Sequence, residues 1–308
     1  MFKKTLIAAA VATMASSVAM ADVKIGGKVE QQQLKSEAGE WSGWSDVRLT
    51  VSGDEDLGNG MSAFFMFQDE MGLRTGAGAQ QYDQLVGLKS SAGTLIMGKV
   101  EDFTESKVMS MTDKTMGAGG VEIGANLGRN EGAIAYVSPS FSGLTVGVAG
   151  YALSASGGDQ DAFDAVDLGL MYSNGPLSVN VAFENDKRAA TAATAATAAF
   201  DSGDSTSIGA SYAAGDLTVA ATQQMTSYDT AGKADEDDTS IAVTYNMGNN
   251  KVVVGWNDNE TSAGATVTDT NSNVIELQHS FSKTTAAYVQ FYNTDVAAGD
   301  TTSFGLQH

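Results

Sequence analysis

Apolar and polar residues alternate one for one over most of this chain, and helical periodicity is nearly absent. Val47, Leu49 and Val51 interleave with Asp46, Arg48, Thr50 and Ser52, and Ile275, Leu277, His279 and Phe281 face away from Glu276, Gln278 and Ser280. A period of two is the signature of strands with one greasy and one wet face. Read this way throughout, the chain offers about sixteen strands of roughly eight to twelve residues. Glycine is abundant (35) and proline scarce (Pro139 and Pro176), which suits many strands joined by tight turns.

The connections sharpen the prediction. Short ones fall at 54–59, 90–93, 138–143, 174–175, 213–216, 247–250 and 282–283. Between them lie longer polar segments at 34–43, 71–80, 101–128, 154–162, 187–203, 227–238, 259–272 and 294–300. Short turns on one rim and long loops on the other are how outer-membrane barrels are built, and a soluble sandwich has no reason to sort its loops so. Tyr136, Tyr172, Tyr212, Tyr245 and Phe281 each sit just before a short turn. Rings gathered at one strand end predict a girdle at the membrane–water boundary; strand propensity alone does not explain the shared position.

The N-terminus carries Lys3 and Lys4, an apolar run of small residues and Ala19-Met20-Ala21. This is the pattern of a secretory signal, predicting removal of 1–21 and a mature start at Asp22. The formal charge is −20, or −22 without Lys3 and Lys4, which repels nucleic acid. An exported chain without cysteine must be held together by something other than disulfides. No apolar stretch after residue 21 could cross a membrane as a helix, so a membrane form has to be a closed barrel.

Little suggests catalysis, and no cofactor or metal site is expected. His279 and His308 are the only imidazoles, and no metalloprotease, phosphate-loop or nucleophile-elbow motif occurs. The patch Gly117-Ala118-Gly119-Gly120 lacks phosphate-loop spacing. The alanine- and threonine-rich tract 189–199 reads as a surface loop. The acidic run Asp235-Glu236-Asp237-Asp238 reads as a solvated loop, with calcium binding as the alternative. The inward phase instead collects Lys24, Lys28, Glu30, Asp46, Arg48, Glu70 and Glu276, charges that keep their hydration if they line water. The longest connection, 101–128, combines carboxylates (Glu101, Asp102, Glu105, Asp113, Glu122) with Met109, Met111 and Met116. A long loop with apolar content packs against something. It is expected to fold into the barrel and present carboxylates at a narrowing, opposite basic groups on the wall.

Several stretches also resemble the general porins of Gram-negative bacteria, of the neisserial and β-proteobacterial type. SGDEDLGNGMSAFF (52–65) resembles the family's G-S-E-D-L-G-x-G-L-x-A turn, and LVGLKSSAGTLIMGK (85–99) its V-G-L-x-G-x-F-G-T-L-x-x-G-R hairpin. RNEGAIAYVSPSFSGL (129–144) resembles R-x-x-N-S-I-x-Y-x-S-P-x-F-S-G-F, and FSK (281–283) the L-S-K-R-T turn. The resemblance implies an all-β transmembrane antiparallel barrel of about 16 strands over 22–308, assembled as a homotrimer, with an inward-folded third extracellular loop. By position, Arg48, Lys99 and Arg129 would form the basic wall of the eyelet, with Glu101, Asp102, Glu105 and Asp113 on the loop. Tyr82 stands where the family often carries another arginine, and Gln68 where it often has glutamate. The ending SFGLQH resembles V-G-L-R-H-x-F but stops two residues short of its terminal aromatic, the family's signal to the barrel-assembly machinery.

The function expected is passive diffusion of ions and small hydrophilic solutes with cation preference. The partners are outer-membrane lipid, the assembly machinery and further copies of the chain, and not nucleic acid. Two alternatives remain: a non-conducting surface adhesin on the same barrel, separable by conductance, and an exported soluble all-β binding protein, separable by extraction without detergent.

Overall fold

The computed structural model describes residues 22–72, 80–124, 127–152, 163–187, 202–229, 233–263 and 266–308. The expected signal segment 1–21 and the tract 189–199 lie outside them. The described residues form a closed barrel in which each strand pairs antiparallel with its sequence neighbours and β1 pairs with β16.

In chain order the strands are β1 (Lys24–Ser36), β2 (Trp41–Gly58), β3 (Met61–Gly72), β4 (Gln80–Ser90), β5 (Gly93–Glu101), β6 (Arg129–Val137), β7 (Leu144–Tyr151) and β8 (Ala165–Asn174). They continue as β9 (Leu177–Asp186), β10 (Gly203–Ala214), β11 (Leu217–Tyr228), β12 (Asp235–Met247), β13 (Asn250–Ala263), β14 (Thr266–Ser280), β15 (Ala286–Thr294) and β16 (Thr301–Gln307). The seam runs from Glu30↔Gln307 to Ser36↔Thr301 and is extended by reciprocal backbone bonds between Val29 and His308, at 2.8 and 2.9 Å.

Burial follows the alternation with inverted polarity. Glu30, Asp46, Thr222, Gln224, Ser240, Glu276, Gln290 and Ser303 are buried, while Ile208, Val219, Ile241, Val254, Ile275, Phe291, Phe304 and Leu306 are exposed. A soluble monomer rarely exposes a contiguous apolar patch beyond a few hundred Å². Here the apolar phase covers the outside of strand after strand, a surface suited to hydrocarbon, and closure leaves no unpaired edge in it. Tyr136, Tyr212, Tyr245 and Phe281 are exposed at the short-turn rim, and Tyr172 is half-buried there. His279 lies on the same outer phase, bonded to Asn250 at 2.8 Å and edge-on to Phe281.

Several boundaries differ from expectation. The first short turn is not 54–59: β2 runs on to Gly58 past a register slip at Asp56, and the reversal is Asn59-Gly60, both at positive φ. That is the hairpin geometry matching right-handed strand twist. The long connections 34–43 and 259–272 are largely strand and 227–238 is half strand, with β13 reaching Ala263 and β14 starting at Thr266. The acidic run is likewise on β12 rather than in a loop. Asp238 points inward and accepts from the Gly124 N–H (2.9 Å) and the Asn257 amide (2.7 Å), while Asp235 accepts the Tyr228 N–H. For 227–238 and 259–272 the cause is shared: a ladder carried past the apolar band is largely polar on both faces and loses the alternation that marks a strand.

Candidate functional site

The segment between β5 and β6 holds one helical turn (Thr104–Val108) and a tighter one (Met109–Met111). Its apolar side chains lie against inward-phase wall residues that, Tyr151 apart, are small. Val100, Phe103, Val108, Ile123 and Leu127 form a buried cluster with Ala133, Ala135, Ala149, Ala165 and Ala182. Three of its side chains sit over wall glycines. Phe103 covers Gly147 and Gly169, Met111 covers Gly209, and Val121 covers Gly255; a Cβ on these glycines would come within 2.2–2.7 Å of the covering side chain. Substituting Gly147 by Val is therefore expected to unseat Phe103 and lower barrel stability by about 3–5 kcal/mol, as for loss of a buried phenyl ring. Urea unfolding in detergent, compared with Phe103→Ala, checks this; a neutral Gly147→Val would remove the packing account.

Polar stitches complete the attachment. Asp167 on β8 accepts the Phe103 N–H at 2.6 Å. At the far end, Glu276 on β14 accepts the N–H groups of Met116 (2.8 Å) and Gly117 (2.9 Å), and Gln290 on β15 exchanges two bonds with Gly119. Gln278 donates to the carbonyl of Lys114.

The residues singled out from sequence separate into three groups. Arg48, Tyr82 and Arg129 come together: the phenol ring lies between the two guanidinium groups, 4.0 Å and 4.1 Å from their carbons. Arg48 is held by Glu70, its cross-strand partner, through Nε at 3.0 Å and through Nη2. Arg129 meets three carboxylates: Glu101, its own ladder partner; Glu105 at 2.8 Å; and Asp83 at 3.6 Å. The picture of a basic wall facing an acidic loop is thus altered. Arg129 opens β6 beside the loop's root, so Glu101 and Glu105 contact it directly instead of standing opposite.

Asp102 belongs to a second group. Its side chain is fully buried, not presented to a passage, and accepts the backbone N–H groups of Glu105 and Gly128. Burial, reinforced by the charge of Asp167, pushes its carboxyl up to about 7, against the lowering effect of those two bonds. Asp102 is a brace for the loop root. Asp113 is exposed at the end of the tighter turn, with Lys114 beside it, and Lys99 is half-buried without an ion pair among the described residues. Neither touches the arginine–tyrosine stack. Sequence reasoning missed Asp83, Phe103 and the wall glycines; only the inward parity of Asp83 relative to Val86 could have flagged the first.

Among the described residues no group of three or more acidic or histidine side chains is arranged to hold a metal ion. What the arrangement offers is a polar interior, a loop stitched to it, and fixed charges of both signs with carboxylates in excess. A closed antiparallel barrel with an even strand number, apolar outside and polar within, defines an outer-membrane β-barrel.

The model of the Gram-negative porin family matches residues 8–299, and the chain belongs to that family. It is 30% identical to an outer membrane porin protein of Bordetella pertussis over 161 residues, 44% of this chain and 41% of that one. It is 27% identical to the major outer membrane protein P.IB of Neisseria meningitidis serogroup B over 192 residues, 58% of this chain and 57% of that one. The matched stretches thus span about half the length of these relatives. Among solved structures, the chain superposes on the anion-selective porin from Comamonas acidovorans with a TM-score of 0.74, at 20% identity, covering 94% of this chain and 99% of that one. Salmonella typhi OmpF in complex with daunomycin gives 0.76 at 14% identity (93% and 97% covered). The trimer form of OmpT from Vibrio cholerae gives 0.71 at 16% (93% and 98%). At these identities the shared property is the fold. Family and relatives place the chain in the outer membrane of a Gram-negative bacterium.

Proposed function

We propose that this chain is a non-enzymatic diffusion channel: a water-filled barrel through which ions and small hydrophilic solutes pass, with preference for cations. The observation that carries the reading is the inverted polarity of the closed barrel, which gives hydrated charges an interior to line. Residues 1–21 act as the export signal, and Asp22 begins the mature chain. The mature barrel assembles as a homotrimer, in keeping with the trimer form of OmpT.

The segment 101–128 narrows the lumen. Support comes from its bonds to inward-phase residues on β8, β12, β14 and β15. At the narrowing, Arg48, Lys99 and Arg129 provide positive charge, and Glu101, Glu105 and Asp113 provide negative charge, with Asp102 bracing the loop. Tyr82 replaces a third cation by a neutral ring and adds no charge of its own. Glu70, Asp83, Glu101 and Glu105 outnumber the two stacked arginines they contact, which favours cations in the passage.

The test is conductance in planar bilayers with a salt gradient. Discrete channels whose reversal potential has the cation-preferring sign are expected. Anion-preferring potentials would refute the selectivity, and absence of channels would favour the adhesin reading.

A further inference from the structure

Beside the arginine–tyrosine stack, and separate from it, a cavity of about 360 Å³ opens between the loop tip at 116–118 and the inner faces of β1 and β2. It is amphipathic. Trp44 holds an inward position on β2 opposite Gln32 of β1, yet remains 39% exposed, and Leu34 and Met116 extend the apolar side. The polar side is Gln32, Glu30 and Lys28. An indole turned toward the polar interior is at odds with the rule that sends apolar side chains to the lipid side, so it requires an occupant or a partner.

The polar groups narrow down the occupant. Gln32 is only 2% exposed, and its Nε2 has no hydrogen-bond partner among the described residues. A buried amide donor left unmade costs about 1–3 kcal/mol, so its retention points to a ligand that supplies an acceptor. Lys28 is bonded to Glu30 at 3.1 Å and lies 3.6 Å from Asp46, which leaves the recess charged on both sides. An organic cation would meet the Lys28 ammonium and leave the Gln32 amide unmet. An anion would meet Glu30 and Asp46. Hydroxyl groups donate and accept, and so satisfy amide, ammonium and carboxylate together without adding charge. A pyranose ring also has a C–H face that packs flat on an indole.

We propose that this recess is a binding subsite for neutral carbohydrate of mono- to disaccharide size, stacked on Trp44 and hydrogen-bonded to Gln32, Glu30 and Lys28. The proposal rests on the channel reading above and gives that channel a substrate class. The volume is at the low end for ligand pockets, which suits one or two sugar rings.

The experiment is sucrose titration of the reconstituted channel in planar bilayers. Conductance in salt alone is recorded first; its absence would defeat the channel reading, and quenching of tryptophan emission by sucrose would then decide whether the recess binds sugar at all. Added sucrose is expected to give a saturable decrease in conductance, half-maximal at a millimolar concentration. Trp44→Ala should raise that concentration about tenfold and Gln32→Leu about fivefold, while Trp44→Phe, which keeps a flat ring, stays near the original value. Heat-modifiable migration on gels reports folding of each variant. If Trp44→Ala does not fold, quenching of tryptophan emission by sucrose in Gln32→Leu and the unaltered chain carries the comparison. No saturable effect, an unchanged half-effect in Trp44→Ala, or saturation by choline chloride and not by sucrose would overturn the proposal.

Discussion

Replacing Arg129 by alanine is expected to raise the cation-over-anion permeability ratio about fivefold. The guanidinium is the common partner of Asp83, Glu101 and Glu105. Without it, three carboxylates lose their common contact partner, and of the remaining cations Arg48 and Lys99 act on Asp83. At water-like screening one unit charge at contact is worth about 1 kcal/mol, which sets the fivefold figure, and the effect shrinks as salt shortens the screening length. Arg129→Lys should restore most of the charge and little of the geometry, because an ammonium can neither fork across several carboxylates nor stack on Tyr82. Reversal potentials at two salt concentrations measure this. An unchanged ratio in Arg129→Ala would show that the cluster lies off the ion path.

Glu276→Leu is expected to free the loop tip. Its carboxylate takes the N–H groups of Met116 and Gly117 and the amides of Gln278 and Gln290, all in a fully buried position. Hydrogen bonds to a charged acceptor are worth about 1.5–3 kcal/mol each, and the two stranded backbone donors add their own desolvation cost. The variant should conduct more and with larger current fluctuations, and protease should cut near residue 116. Gln290→Leu, which loses the Gly119 contacts, one donor to Glu276 and a long bond from the Ser303 hydroxyl, should show the same changes in smaller measure. A quiet, protease-resistant Glu276→Leu channel would mean that the apolar seats over the wall glycines hold the loop unaided.

These two variants also mark where sequence reading succeeds and where it stops. The phase of Val47, Leu49 and Val51 against Asp46 and Arg48 is local, so inside and outside could be assigned strand by strand, and the sorting of loop lengths then implied closure. Glu276 could be placed on the inward face, but its role depends on a segment 160 positions earlier in the chain. Glu101, Asp102 and Glu105 look interchangeable in sequence. Only the fold at the loop root turns Asp102 into the brace and the other two toward Arg129. Tyr82 was recognisable as an unusual residue for its position, whereas its place between two arginines needed three strands in register. The acidic run on β12 misled for a different reason: where both faces meet water, composition no longer distinguishes ladder from loop.

The β1–β16 seam has a consequence for biogenesis. Because the first strand finds its second neighbour only in the sixteenth, no partial product of synthesis can satisfy its own backbone in hydrocarbon. Insertion is thereby tied to completion of the chain, and an unfinished copy cannot settle in the bilayer as a leaky half-cylinder.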